Sequence, residues 1–194
     1  MKERIIIATR NAHKVEEIRA ILSDYEVCDL SSVDDPPEVE ETGVTFVENA
    51  TLKAVAISKL TDALVLSDDS GLEVDALNGE PGVYSSRYAG EDGNDELNNA
   101  KLLRELEGMD DRLARFRCVI VIARGGEGLA IFSGAVEGRI LEARRGEGGF
   151  GYDPLFAPLG YDESFAELGE KIKNGMSHRA RALEGVVTWF SSVS

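Results

Sequence analysis

The sequence predicts a mixed α/β fold, on three observations: short apolar runs rich in β-branched residues, apolar stripes at helical spacing between them, and a pair of long strand patterns joined by glycines. Ile5-Ile6-Ile7-Ala8 suits a buried strand that stops at Thr9-Arg10-Asn11, where hydroxyl and amide side chains favour a turn or helix cap. From His13 to Ser23, Val15, Ile18, Ile21 and Leu22 recur at helical spacing, with Glu16, Glu17 and Arg19 on the other side. Asp34 to Glu48 carries six carboxylates and no Lys or Arg, and Pro36-Pro37 blocks a helix there, so the segment reads as a loop leading into a helix. A helix from about Thr45 to Thr61 then sets Phe46, Ala50, Ala54, Ile57 and Leu60 on one stripe, and Asn49 and Lys53 one turn apart on a face open to a ligand.

Ala63-Leu64-Val65-Leu66 is the next buried strand, and Leu72 to Leu77 alternates like a half-buried one, so Ser67-Asp68-Asp69-Ser70-Gly71 reads as an acidic turn between two strands. Leu97, Ala100, Leu103, Leu106 and Met109 mark an amphipathic helix. Strands over Arg115 to Arg124 and Leu129 to Leu141 flank Gly125-Gly126-Glu127-Gly128, which suits a hairpin loop. A Gly-rich stretch from Gly146 to Pro154 and a short helix near Glu163 to Leu168 precede a final helix, Ser177 to Ser192, with a stripe of Ala182, Val186, Trp189, Phe190 and Val193.

With 194 residues, 43% of them hydrophobic, and no repeat or linker, residues 1–194 are expected to form a single domain. Lys plus Arg number 21 against 36 Asp plus Glu, a formal charge of -15 that repels nucleic-acid backbones and anionic membranes. Neither is expected as a partner. A small anionic ligand stays open, because local donors and a bound cation can reverse the field. Cys28 and Cys118 sit in apolar stretches without metal-ligand spacing and read as small buried side chains in a reducing compartment. Met1-Lys2-Glu3-Arg4 runs directly into the first strand, and no apolar run nears the roughly 18 residues of a membrane span, so a soluble, cytoplasmic protein is expected.

Four segments carry chemistry, each beside a plainer reading. Thr9 to Lys14 could grip a phosphate with backbone N–H groups, a hydroxyl and Lys14, or be a helix cap and a solvated lysine. Asp68-Asp69 after a buried strand needs a cation or donors. Hard oxygens suit Mg2+, with a further acid from the Glu38 to Glu41 cluster; the other reading is an Asx-type turn. In Gly146 to Pro154, Phe150 or Tyr152 could stack on a base and Asp153 accept from it, unless the stretch is a surface turn. Lys171, Lys173, His178, Arg179 and Arg181 form a basic cluster at a helix start, or a cap with a solvated basic face.

Together these segments resemble the inosine triphosphate pyrophosphatase family. The matching pieces are Thr9-Arg10-Asn11 through Lys14, Thr45 to Ala50 with Lys53-Ala54, Asp68 to Leu72 through Pro81-Gly82-Val83 to Arg87-Tyr88-Ala89-Gly90, Gly148 to Pro154, and Ser177-His178-Arg179 with Ala182-Leu183. They stand in the family's order across nearly the whole chain; the departure is Arg10, where many members carry Gly.

The resemblance implies a long mixed central β-sheet flanked by helices, two lobes around a central cleft, and a homodimer. It implies hydrolysis of ITP, dITP and XTP to the monophosphate and pyrophosphate with Mg2+. By motif, Thr9, Arg10, Asn11, Ala12, His13, Lys14 and Lys53 would hold the triphosphate. Asp69 would be the general base or hold the metal with Glu41, and Ser70 would contact substrate. Phe150, Gly151, Tyr152 and Asp153, with Lys173, His178 and Arg179, would enclose the purine. Donors aimed at a 6-keto group reject the amino group of adenine, because they would be left unpaired. The competing readings are a related enzyme acting on modified pyrimidine triphosphates and a nucleotide-binding regulatory module without catalysis. The Phe150 to Asp153 and Ser177 to Arg179 motifs argue against the first, and the joint presence of acidic and basic clusters against the second.

Overall fold

A computed structural model describes residues 4–193, and the side chain of Val193 lies outside what it describes. The strand β1 (Arg4–Ile7) leads into helix α1 (Ala12–Ile21) and a short strand β2 (Glu26–Cys28) that the sequence reading missed. Helix α2 (Phe46–Ser58) is followed by β3 (Leu64–Val74), α3 (Asp95–Glu105), β4 (Leu113–Arg124), β5 (Glu127–Ile140) and β6 (Phe156–Pro158). Three helices close the chain: α4 (Phe165–Leu168), α5 (Glu170–Met176) and α6 (His178–Val193). The sheet runs β2-β1-β3-β4-β5-β6. It is parallel where β1 meets β2 and β3, and antiparallel where β5 meets β6, so the mixed α/β class holds.

The acidic turn is not a turn. Ser67 to Gly71 continues a single strand of 11 residues, because both aspartates find cationic partners while the backbone stays extended. The hairpin loop after β4 is two residues, not four: Gly125 and Gly126 have φ of 60° and 88°, the paired positive values a tight hairpin needs. Leu60 and Met109, assigned to helical stripes, lie beyond the ends of α2 and α3 and are exposed. Leu97 is on α3 but turned outward, 48% exposed, while Asn98, Asn99 and Leu102 form the buried face.

The chain divides into two compact units, the first holding the residues up to Asp69, Cys118–Gly134 and Arg179 onward, the second Ser70–Arg117 and Ala135–His178. In the first unit, strand periodicity sorts the core into two layers. Ile5, Ile7, Leu64 and Leu66 pack with Val15 and Ile18 of α1 and with Ala182, Val186 and Phe190 of α6. The alternate residues Ile6, Ala8 and Val65 pack with Val33 and with Ile57 of α2. In the second unit, Leu72, Val74, Leu102, Leu106, Phe116, Tyr152, Phe156 and Phe165 make one core. Cys118 is buried and Cys28 half-buried, both free thiols.

Candidate active site

Alternation along β3 decides what each aspartate meets. Asp68 shares the parity of Leu64 and Leu66 and so lies on the face of α1 and α6, where its Oδ2 is 3.1 Å from Lys14 Nζ and 3.0 Å from Arg179 Nη2. Arg179 also pairs with Glu17 of α1, an acid that helical spacing had placed on the outer side. Both Asp68 and Arg179 are buried. Burial alone would raise the Asp68 carboxyl, but Lys14, Arg179 and Lys53 outweigh it and hold the pKa far below the carboxylate range. Arg179 is in turn held firmly charged, since Asp68 and Glu17 offset its desolvation.

Asp69 has the parity of Val65 and faces α2. Lys53 Nζ lies 2.6 Å from Glu41 Oε1 and 3.9 Å from Asp69 Oδ1, so one ammonium serves two carboxylates. Asn49, one turn before Lys53, accepts from the backbone N–H of Gly43 at 2.8 Å and thereby ties the acidic loop to the helix; its amide also favours charged Asp69. The capping box of Thr45 and Glu48 fixes the helix start that aims these side chains. Burial pushes Asp69 up, Lys53, Lys14 and Asn49 pull it down, and Glu41 pushes it up again; the result is a pKa of about 6. Burial lowers Lys53, but Asp69, Asp68 and Glu41 reverse this and leave its pKa raised.

The first loop is a built cap. Asn11 Oδ1 accepts from the backbone N–H groups of His13 and Lys14 at 3.0 and 3.3 Å, and Thr9 Oγ1 accepts from Asn11 N–H at 3.2 Å. Arg10 reaches away to the carbonyl of Pro36 at 3.0 Å, and Ala12 and His13 are exposed. Of the six loop positions singled out, Lys14 reaches Asp68 of β3. Ser70 is half-buried and begins the second unit's part of β3.

In the second unit the Gly-rich stretch closes on itself. Asp153 Oδ2 accepts from Lys173 Nζ at 2.7 Å and from the backbone N–H of Phe150 at 2.9 Å. The Lys173 ammonium also stands 4.4 Å from the centroid of the Phe150 ring, a cation–π contact. At Gly149, where φ is 75°, a Cβ would run into the Asp153 carboxylate, so the loop can close only with glycine there. Tyr152 is buried, donates from its hydroxyl to the Ser85 carbonyl at 2.8 Å, and packs in the core instead of offering a stacking face. His178 stacks on Phe116 at 4.9 Å between ring centroids. Thus Phe150, Asp153 and Lys173 come together in this unit, and Asp69, Glu41 and Lys53 in the other. Arg179 belongs with Asp68 in the first unit.

The donor set of the first unit fits Mg2+. Glu41 and Asp69 converge on one small cation, the Lys53 ammonium, and a raised Asp69 pKa marks a place where further positive charge is favourable. No cluster of three or more His, Cys, Asp or Glu poised for a metal occurs among the described residues. Mg2+ does not need one, since one or two carboxylates suffice when water and phosphate oxygens complete the shell.

Among the described residues no helix is long and apolar enough to cross a membrane. The family model described as the Ham1 family matches residues 5–189. The dITP/XTP pyrophosphatase of Bacillus licheniformis is 53% identical over 188 residues, 95% of each chain. That of Geobacillus kaustophilus is 53% identical over 187 residues, 94% of this chain and 91% of its own. The structure of the Staphylococcus aureus Ham1 protein superposes with a TM-score of 0.89 at 43% identity, covering 99% of this chain and 100% of that one.

Proposed function

Since this chain belongs to the Ham1 family, we propose that it hydrolyses deaminated purine nucleoside triphosphates, ITP, dITP and XTP, to the monophosphate and pyrophosphate. The observation that carries the reading is Asp69, held near a pKa of 6 beside Glu41 and Lys53. Without a bound cation Asp69 is a stronger base than an ordinary carboxylate, and the same raised pKa marks a place where a further positive charge is favourable.

Asp69 takes or directs the proton of the attacking water, and Lys53 and Lys14 offset charge on the phosphate oxygens. Glu41 and Asp69 would hold Mg2+, which when bound lowers the pKa of a coordinated water and neutralises phosphate charge. Phe150 offers a ring to the base, and Lys173, positioned by Asp153, supplies a cationic donor toward its 6-keto oxygen. Adenine presents a donor at that place and is disfavoured by about 1–3 kcal/mol for each donor left unpaired. The same reading has the chain working in the cytoplasm as a homodimer, as the family resemblance implies.

The test is release of monophosphate and pyrophosphate from ITP, XTP, dITP, GTP, ATP and dUTP, with Mg2+ and with chelator. Turnover of the first three, lost with chelator, is expected. Preferred turnover of dUTP would replace the purine reading, and tight nucleotide binding without product would replace the enzyme by a binding module.

A further inference from the structure

The helix α3 buries the wrong residues for a helix that merely covers a core. It turns Leu97 into solvent and puts two asparagines inward, Asn98 being 2% exposed and Asn99 wholly buried. Burying an amide is costly unless it is bonded, so the inward pair calls for a reason. Asn98 spans the preceding loop, accepting from Ala89 N–H at 2.8 Å and donating to the Ser86 carbonyl at 2.9 Å. Asn99 Nδ2 donates to the Asp95 carbonyl of its own helix at 2.6 Å and also crosses to the Gly-rich loop, donating to the Gly151 carbonyl at 2.8 Å. One turn earlier, Asp95 Oδ2 accepts from the Gly151 N–H at 2.6 Å. Both polar groups of one residue are thus held by side chains four apart on α3, a spacing that places them on one helix face. Gly151 has φ of 61°, a conformation that glycine takes readily, and Phe150 is covalently next to it.

We propose that Asp95 and Asn99 are positioning residues that clamp Gly151 and thereby hold the Phe150 ring and the Asp153–Lys173 pair where they discriminate the purine. The proposal rests on the base-recognition reading above and extends it to residues that touch no nucleotide. Asp153 fixes the loop from within, through Phe150 N–H, and α3 fixes it from outside through Gly151. The Asp95 bond is the stronger arm, since a carboxylate acceptor makes a charge-assisted hydrogen bond. Misplacement of a recognition group by a fraction of an ångström costs binding and selectivity first, while the water and the acids of the first unit are untouched.

The experiment compares Asp95→Ala, Asn99→Ala and Asp95→Asn with the wild-type chain, after thermal melts establish which are folded. In Asp95→Ala the KM for ITP is expected to rise about tenfold with kcat within about twofold, and the ATP-to-ITP ratio of kcat/KM to rise. Asn99→Ala follows in the same direction, and Asp95→Asn, which keeps an acceptor, recovers most of the loss. Amide hydrogen exchange across residues 148–153 quickens about tenfold in both alanine variants. An active wild-type chain beside a folded Asp95→Ala of unchanged KM, ATP discrimination and loop exchange overturns the clamp alone. A fall in kcat at constant KM also overturns it. A wild-type chain that releases no pyrophosphate from ITP overturns the function proposed above, and the specificity role with it.

Discussion

The two faces of β3 treat adjacent aspartates in opposite ways. On the face of α1 and α6, Asp68 is walled in by Lys14 and Arg179, its charge fully offset and its pKa far below the ordinary range. On the α2 face, burial drives Asp69 up to about 6, because Lys53, which it shares with Glu41, and the more distant charge of Lys14 offset that burial only in part. Neighbouring residues of one strand thereby divide the work. The over-compensated acid holds cations in place, and the under-compensated acid keeps its affinity for a proton. A pair of acids in a turn, both solvated, could not have been split in this way.

The largest effect that would break the comparison lies in turnover. Asp69→Asn is expected to lower kcat for ITP by about a thousandfold or more, the scale on which removal of a base or metal-side acid acts, while circular dichroism stays that of the wild type. Near-normal turnover in the folded variant would move the chemistry elsewhere. Asp68→Asn attacks the other face and is expected to act on stability. It leaves Arg179 and Lys14 short of a buried counter-charge, at a cost of about 3–5 kcal/mol in urea unfolding at neutral pH. A melt like that of the wild type would mean that Glu17 alone suffices for Arg179.

Much of this was legible in the sequence. The five separated motifs carried the family, and helical spacing alone put Asn49 and Lys53 on one face of α2, the face that meets Gly43, Glu41 and Asp69. What hid the division of labour was the reading of Ser67 to Gly71 as a turn. Composition argues for that, since Asp, Ser and Gly are turn residues, and only tertiary partners from α1, α2 and α6 make an extended backbone affordable there. Had the strand been continued, its parity alone would have sent Asp68 and Asp69 to different layers. Asp95 and Asn99 were missed for another reason: helical periodicity scores apolar residues, and the inward face of α3 begins with asparagines.

A smaller effect sharpens the contrast in the opposite direction from the loss of turnover. The folded pKa of Asp69 is raised from 3.8 to about 6, so between those values the native state binds more protons than the unfolded chain. The stability this group contributes is present below the unfolded value and is lost as pH rises through about 6. Asp69→Asn removes that penalty, and chemical denaturation at about pH 8 is expected to find the variant more stable by about 1–3 kcal/mol, with the gain vanishing near pH 4. Asp68 has the reverse sign. Its lowered pKa gives stability that is present above the ordinary carboxylate value and is lost only under strongly acid conditions. An Asp69→Asn chain less stable than the wild type at alkaline pH would show that its charge is compensated as fully as that of Asp68.

The smallest effect separates the two lysines. Lys53 is the leading charge that pulls Asp69 down, with Lys14 next, whereas for Asp68 the order is Lys14, Arg179, then Lys53. Lys53→Met therefore frees Asp69 to rise further. The acid limb of kcat/KM against pH, which reports the free enzyme, is expected to move up by about one unit. Lys14→Met should move that limb less and cost more in stability, because its charge is spent mainly on buried Asp68. Both profiles come from ITP hydrolysis measured between about pH 5 and about pH 9, paired with melts of the same two proteins. Equal shifts and equal melts would mean that β3 does not insulate its two faces, and that the aspartates titrate as one coupled pair.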